Sequence, residues 1–528
     1  MDDYQPGEIS TSSFWTDRKN NFNHMKKGKI NSLGFALILS AMALVSCQDD
    51  NAPKVINPGN PPMVNLTALG EDNQLFFFED GDINFPAETK TLTGLGSGEN
   101  MISIDYRPAT GQLYGLSSAS RLYLINENSG MATPLGGGPF TPSIDGMGAS
   151  IDFNPTVDRI RLVSQIGQNL RLHPETGTVV AVDGTIKGGT NPKISGVAYT
   201  NSVSGATSTV LYNIDIEEDI LYMQVPPNEG GLQEVGSLGE DFDGATDFDI
   251  NPDNSIALAV SRTVNQSRLF LIDLSSGNAT WVGRFKQDIV SIAFKTNPIA
   301  YAADAAGKLY RFNPENPQPS MVDFQGLKMG EQIVGLDFRP AKGQLLAISN
   351  KSQLYAVNPS NGMLTAIGNQ LMPMVEGEMV GFDFNPTVDR IRLVTNTGQN
   401  LRLHPDLGTV VATDGRLNPG SPMVSGAAYT NNFAGSTTTT LFVIDHATGM
   451  LYTQAPPNDG VLVPVGPLGV SVTGQNGFDI GGNSDNAFAV FTIGSSSGVY
   501  KINLVSGAAT KVSDLNFTPV AMALGLGF

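Results

Sequence analysis

The sequence predicts an all-β chain, a β-propeller built from ten four-stranded modules in two five-module halves. Three observations lead there. The first is a duplication. Residues 153–184 read FNPTVDRIRLVSQIGQNLRLHPETGTVVAVDG, and residues 384–415 read FNPTVDRIRLVTNTGQNLRLHPDLGTVVATDG. They agree at 26 of 32 positions, with an offset of 231 residues. The second is period-two alternation of β-branched and aromatic residues in short runs, bounded by Gly, Asn, Asp and Pro. The third is spacing: a module recurs every residue-count of about 46, the size of four strands and four turns, or one propeller blade.

The chain opens on an address. Residues 1–24 are polar and precede a well-formed signal start at Met25, so they read as a start codon placed too far upstream. Residues 25–46 read as a lipoprotein signal peptide. Lys26, Lys27 and Lys29 form its basic region, and residues 33–45 form an apolar segment too short to span a bilayer. It ends in Leu44-Val45-Ser46-Cys47, which resembles the lipobox of bacterial lipoproteins. That resemblance implies cleavage before Cys47 and lipidation of its thiol, anchoring the chain to outer-membrane lipid. Cys47 is the single cysteine, which excludes an intramolecular disulfide and a cysteine-rich zinc site. Gln48-Asp49-Asp50 is similar to the acidic export tag of some surface lipoproteins, so the expected location is the cell surface or the periplasmic face. Residues 47–64 are rich in Pro and Asn without periodicity and read as a tether.

From residue 65 an apolar run ending in Asp-aromatic-x-Pro recurs, followed by a turn and three further strands. Residues 102–108, 112–116, 121–126 and 132–136 form one module. Residues 151–155, 160–163, 169–173 and 178–182 form the next. Further modules start at Ser195, Ala245, Val290, Ile333, Met379, Val424 and Asn476. The chain begins with what read as the second to fourth strands of a blade, at 66–69, 74–78 and 89–95. It ends with an unaccompanied first strand at 519–528. Pairing that last strand with the opening one would close the circle and remove two exposed edges. The halves are 65–297 and 298–528, joined at Lys295-Thr296-Asn297-Pro298. Four residues reach about 14 Å at most, too short to lead from the centre of one ring to another beside it. The expectation is one ten-bladed ring, or two five-bladed rings stacked face to face.

The segments FNPTVDRIRLV, GQNLRLHP, SGVAYTN (195–201) or SGAAYTN (425–431), and PPNEG (226–230) or PPNDG (456–460) occur in order in each half. They resemble the bacterial domain-of-unknown-function family 4394, over roughly 66–297 and 299–528. The resemblance implies a secreted or cell-envelope β-rich domain and supplies no catalytic residue.

The formal net charge of -19 disfavours nucleic acid as a partner. A functional cluster is expected in the duplicated segment. Arg159 and Arg161 share one strand face, and Asn169, Arg171 and His173 share a face of the next strand. Arg390, Arg392, Asn400, Arg402 and His404 repeat the set. Arg forks match carboxylates, so these are the candidate ligand-binding residues for an anion or an acidic sugar. The bland alternative is a set of inter-blade ion pairs, with Asp152, Asp158, Asp383 or Asp389 as acceptors. Asn154-Pro155-Thr156-Val157-Asp158 reads as a capped turn, and Arg107-Pro108 and Arg339-Pro340 hold the same place in other modules. Asp249, Asn251 and Asp253 have the alternating oxygens of a calcium loop, but the Gly and the distal Glu of that pattern are missing, so a β-turn is the reading kept and no cofactor is assigned. No serine elbow, zincin pair or phosphate loop occurs. The expected role is a non-catalytic binding or scaffold module for a glycan or protein ligand. The alternative is a polysaccharide-active hydrolase or lyase with acids at the propeller mouth.

Overall fold

The computed structural model describes residues 58–263 and 266–528. The signal peptide, Cys47 and the first part of the tether lie outside the described residues. Among those described are ten four-stranded antiparallel sheets and two short 3-10 turns, Pro227–Glu229 and Pro457–Asp459. No helix among them is long and apolar enough to cross a membrane.

The sheets form two rings of five blades. In the first ring the innermost strands are Ile289–Ala293, Met101–Tyr106, Ala149–Asn154, Ile194–Tyr199 and Ala245–Ile250, numbered here as blades 1 to 5. In the second they are Pro519–Leu524, Ile333–Arg339, Val380–Asn385, Val424–Tyr429 and Gly477–Ile480. Within each set every innermost strand packs on the next, and the fifth returns to the first. Each Asp-aromatic-x-Pro run is therefore an innermost strand. Its alternate residues point at the two flanking blades, which is why almost all of them are buried. The cores lie between blades. Tyr114, Leu116 and Leu122 of blade 2 pack on Ile151, Phe153 and Leu162 of blade 3. Leu346, Ile348 and Leu354 pack on Phe382, Phe384 and Leu393 at the same place in the second ring.

The closure differs from the expected one. The final strand, Pro519–Leu524, pairs with Ala300–Asp304 and not with Leu66–Gly70. Leu66–Gly70 pairs instead with Ile289–Ala293. The module starting at Val290 is thus divided: its first strand closes the first ring, and the three that follow open the second. The physical reason is local. Each half carries a complete set of five innermost strands, so each can remove its own pair of free edges without the other.

The rings meet through corresponding faces, those bearing the ends of the innermost strands. The turn between the first two strands of blade 2 in the first ring, Arg107 to Gln112, sits on the second ring. Gly527 N–H donates to Thr110 O (2.9 Å) and the Tyr301 hydroxyl donates to Ala109 O (3.0 Å). Gly111 has a left-handed φ of 72°. A Cβ on Gly527 would lie 1.8 Å from the Gly111 carbonyl oxygen, so only glycine fits there.

Candidate functional site

The duplicated segment folds as the alternation requires. Arg161 lies opposite Arg171, and Arg392 opposite Arg402, in adjacent strands. Arg161 is buried. Its Nη1 donates to Asn169 Oδ1 (2.7 Å) and Asp183 Oδ2 (2.6 Å), and its Nη2 to Asn228 Oδ1 (2.7 Å). Arg171 grips the same Asp183 with two bonds, of 2.8 and 2.9 Å. Asn169 donates to the carbonyls of Gly184 and Pro227 (both 3.0 Å). This network ties blade 3 to the PPNEG turn of blade 4. Arg392, Asn400, Arg402, Asp414 and Asn458 repeat it in the second ring. The acceptor is therefore Asp183 or Asp414, at the end of the fourth strand, and not one of the four aspartates expected.

Arg159 and Arg390 lie at strand ends, each bonding a backbone carbonyl, of Asp158 and Asp389 (2.8 Å). His173 Nδ1 accepts from Glu175 N–H and His404 Nδ1 from Asp406 N–H (3.2 Å each). Burial, then Arg159 and Arg107, push the His173 pKa down to about 4, so it is a neutral turn acceptor near pH 7. The NPTVD turn is capped as expected: Asn154 Oδ1 takes the Thr156 N–H and hydroxyl (3.0 and 2.7 Å). It also holds Asp158 at a left-handed φ of 52°.

Asp249, Asn251 and Asp253 do not converge. Asn251 Oδ1 accepts from Ile256 N–H (3.0 Å) and Asp253 Oδ1 from Ser255 N–H (2.9 Å), both in an exposed turn. Asp249 points the other way, toward the ring axis.

The axis is where the structure gathers acids that sequence reasoning did not group. Asp105, Asp152 and Asp249 bring one carboxylate oxygen each within 4.8 Å of one another, and so do Asp337, Asp383 and Asp479. All six are buried. The cause is the free edge of each innermost strand, whose inward N–H groups have no ladder partner. Asp105 accepts from Phe153 N–H (2.7 Å), Asp152 from Tyr199 N–H (3.1 Å) and Asp249 from Phe294 N–H (2.6 Å). Asp337, Asp383 and Asp479 accept likewise from Phe384, Tyr429 and Leu524 (2.7, 2.9 and 2.6 Å). Burial, then the neighbouring carboxylates, raise Asp105, Asp152, Asp337 and Asp383 well above the ordinary carboxylate range. Burial pushes Asp249 up to about 8 and Asp479 to about 7. Such a triad stores protons near neutral pH. Ionised, its oxygens are hard donors of the kind that hold a divalent cation. The sequence signal was present: Asp falls at this position in blades 2, 3 and 5 of each half, and Ala in blades 1 and 4.

A second polar site lies at the ring junction. A cleft of about 300 Å³ is lined by Thr67, Glu79, Glu88, Glu127, Lys295 and Asn483, among others. Glu127 is buried there. It accepts from the Tyr106 hydroxyl (2.7 Å), Lys295 Nζ (3.2 Å) and Asn483 Nδ2 (2.7 Å).

Comparison with curated proteins gave no match. Among solved structures the chain is similar to one titled "Structure of Dos1 propeller", at 10% identity and a TM-score of 0.24, covering 64% of this chain and 91% of that one. The duplicated halves are matched by the family model described as "Domain of unknown function (DUF4394)", at residues 74–293 and again at 308–524, and the chain belongs to that family.

Proposed function

We propose that this protein is a non-catalytic binding or scaffold module of the cell envelope, held to outer-membrane lipid through Cys47, with a glycan or protein as ligand. The observation that carries the reading is how the rings are stacked. They bury corresponding faces against each other, and this leaves two outward faces built from the connections that lead into the innermost strands. Those connections display large apolar side chains: Met147 and Met329 are each 97% exposed, and Met372 is 75% exposed. Apolar groups held out on a rigid frame suit ligand contact. The arginines of the duplicated segment meanwhile direct their donors to acceptors within their own blade and to the PPN turn of the next. A glycan array probed with residues 65–528 tests the reading. Saturable binding with unchanged glycans is expected, and release of cleaved products would overturn it. Cys47→Ser should move the protein from the membrane to the soluble fraction. Unchanged membrane retention would remove the lipid anchor.

The junction cleft favours a second reading, a polysaccharide-active hydrolase or lyase. Glu127 with Tyr106 and Lys295 is an acid-base set within hydrogen-bond reach. If the array yields products, Glu127→Gln should abolish them under this reading. Products persisting in Glu127→Gln would place the chemistry elsewhere.

A further inference from the structure

The two rings treat their axes differently one level away from the carboxylates. In the first ring Ser103, Ser150 and Ser291 accept from the inward N–H groups of Ile151, Val197 and Ile104 (3.1, 3.2 and 2.9 Å). Asp247 takes that of Ile292 (3.3 Å) and is itself held by the Ser150 and Ser291 hydroxyls. The corresponding residues of the second ring are Gly335, Gly381, Gly477 and Ala521, with Gly426 in blade 4. None has a side-chain acceptor. Glycine is required at three of them because the strands approach closely: a Cβ on Gly335 would lie 2.6 Å from Phe382 Cβ, on Gly381 2.7 Å from Ala427 Cβ, and on Gly477 2.3 Å from Met522 N.

The consequence is a set of unmet donors. Strand parity fixes which N–H groups face the axis. Phe384, Tyr429 and Leu524 donate to the axial aspartates, and Phe338 and Ile480 donate to the aspartate preceding them. Two residues earlier on the same strand edges lie Leu336, Phe382, Ala427, Phe478 and Met522. All five line one small axial cavity, of about 10 Å³, together with the glycines and Asn476. Asn476 is 2% exposed. Its Nδ2 donates to Ser425 Oγ (2.7 Å), and its Oδ1 has no partner. Turned end for end, the carboxamide accepts the Ser425 hydroxyl proton and presents its NH2 to the cavity.

We propose that this axial cavity of the second ring binds a single monatomic anion of chloride size. A water molecule has two lone pairs and can accept from only two of the five N–H groups. Each N–H left unmet costs about 1–3 kcal/mol. A monatomic anion has no directional limit and accepts from all of them, as backbone N–H clusters do with anions elsewhere. The adjoining carboxyls do not forbid it: burial raises Asp337 and Asp383 well above the ordinary carboxylate range and Asp479 to about 7, which favours their neutral forms beside an anion.

The test is crystallographic, with bromide as the probe. Crystals of the purified protein grown in sodium bromide should give one anomalous peak on the axis of the second ring and none at the same level of the first. Ala521→Ser adds one oxygen where Ser291 stands in the first ring, and should remove the peak. Melting in sodium bromide should exceed melting in sodium gluconate of equal ionic strength, by about 1–3 °C. Axial density without an anomalous signal would mean a buried water only, and would overturn the proposal. The native crystal decides this even if the variant fails to fold.

Discussion

Arg107 and Asp158 meet across the boundary between blades 2 and 3 of the first ring, Nε 2.8 Å from Oδ1, with the guanidinium fully enclosed. Arg107 also donates to the Gly343 carbonyl of the second ring (2.8 Å), so one side chain joins two blades and two rings. Its counterpart Arg339 pairs with Asp389 and Asp406, whose side chains are 32% and 48% exposed. The same turn motif thus sits in drier surroundings in the first ring.

Arg107→Ala leaves Asp158 buried without its partner, and this should cost about 3–5 kcal/mol. Arg339→Ala leaves its carboxylates near water, and should cost about 1–2 kcal/mol. Urea unfolding of the two variants checks the order. Equal losses would mean that burial of the pair does not set its worth.

The axial acids predict how stability depends on pH. Asp249 is raised to about 8, and Asp247 and Asp479 to about 7, each by burial first. Between the ordinary carboxylate range and these values, the folded chain holds protons that the unfolded chain has lost. Stability therefore falls as pH rises through that window, by about 1.4 kcal/mol per pH unit for each such group. Asp406 acts oppositely. Arg339 first, and then Lys342, hold it well below the usual range, so its contribution is lost only in acid. Melting temperatures should decline from pH 5 to pH 8, and Asp249→Asn should make the decline shallower. A melting temperature that rises across this window would contradict the protonated axis.

Much of this architecture was legible in the residues, and the illegible part has a physical cause. Alternation and the Asp-aromatic-x-Pro runs located the innermost strands to within a residue or two, because a strand buried on both faces has little freedom of composition. Ring closure was not legible. From Ala293 to Ala300 the chain crosses between rings, yet its length matches the hairpin from Tyr106 to Leu113 inside one blade. A crossing and a hairpin of equal length look alike in one dimension. The facing of Arg161 and Arg171 followed from period two, but their acceptor did not. Asp183 lies past the fourth strand, after a register shift between Arg171 and Leu172 that pairing rules do not foresee. The axial triads were hidden for another reason: their members come from three blades and meet only once the ring closes.

The duplicated networks should behave as copies. Arg161→Ala and Arg392→Ala each remove one of the two arginines on a buried carboxylate and unpin one PPN turn, and each should cost about 2–4 kcal/mol. The two sites share no partner, so the double variant should lose the sum. Thermal melting reads the loss. Binding of an acidic sugar polymer supplies the contrast: a fall in affinity larger than the fall in stability explains would restore the arginines as a ligand site.

Because each ring closes with its own last strand, the rings should separate without unfolding. Gly527→Ala tests this at the tightest point of their contact. The added methyl meets the Gly111 carbonyl at 1.8 Å, and so forces the turn of the first ring off the second. It changes no strand pair, since Gly527 follows Pro519–Leu524. Differential scanning calorimetry should show the native chain melting with its rings coupled, and Gly527→Ala melting in two resolved transitions. A chain ending at residue 297 should then give one of them alone, since it keeps Ile289–Ala293 to pair with Leu66–Gly70. If that shortened chain shows no cooperative melt, the first ring depends on the second for more than its stacking, and independent closure is wrong.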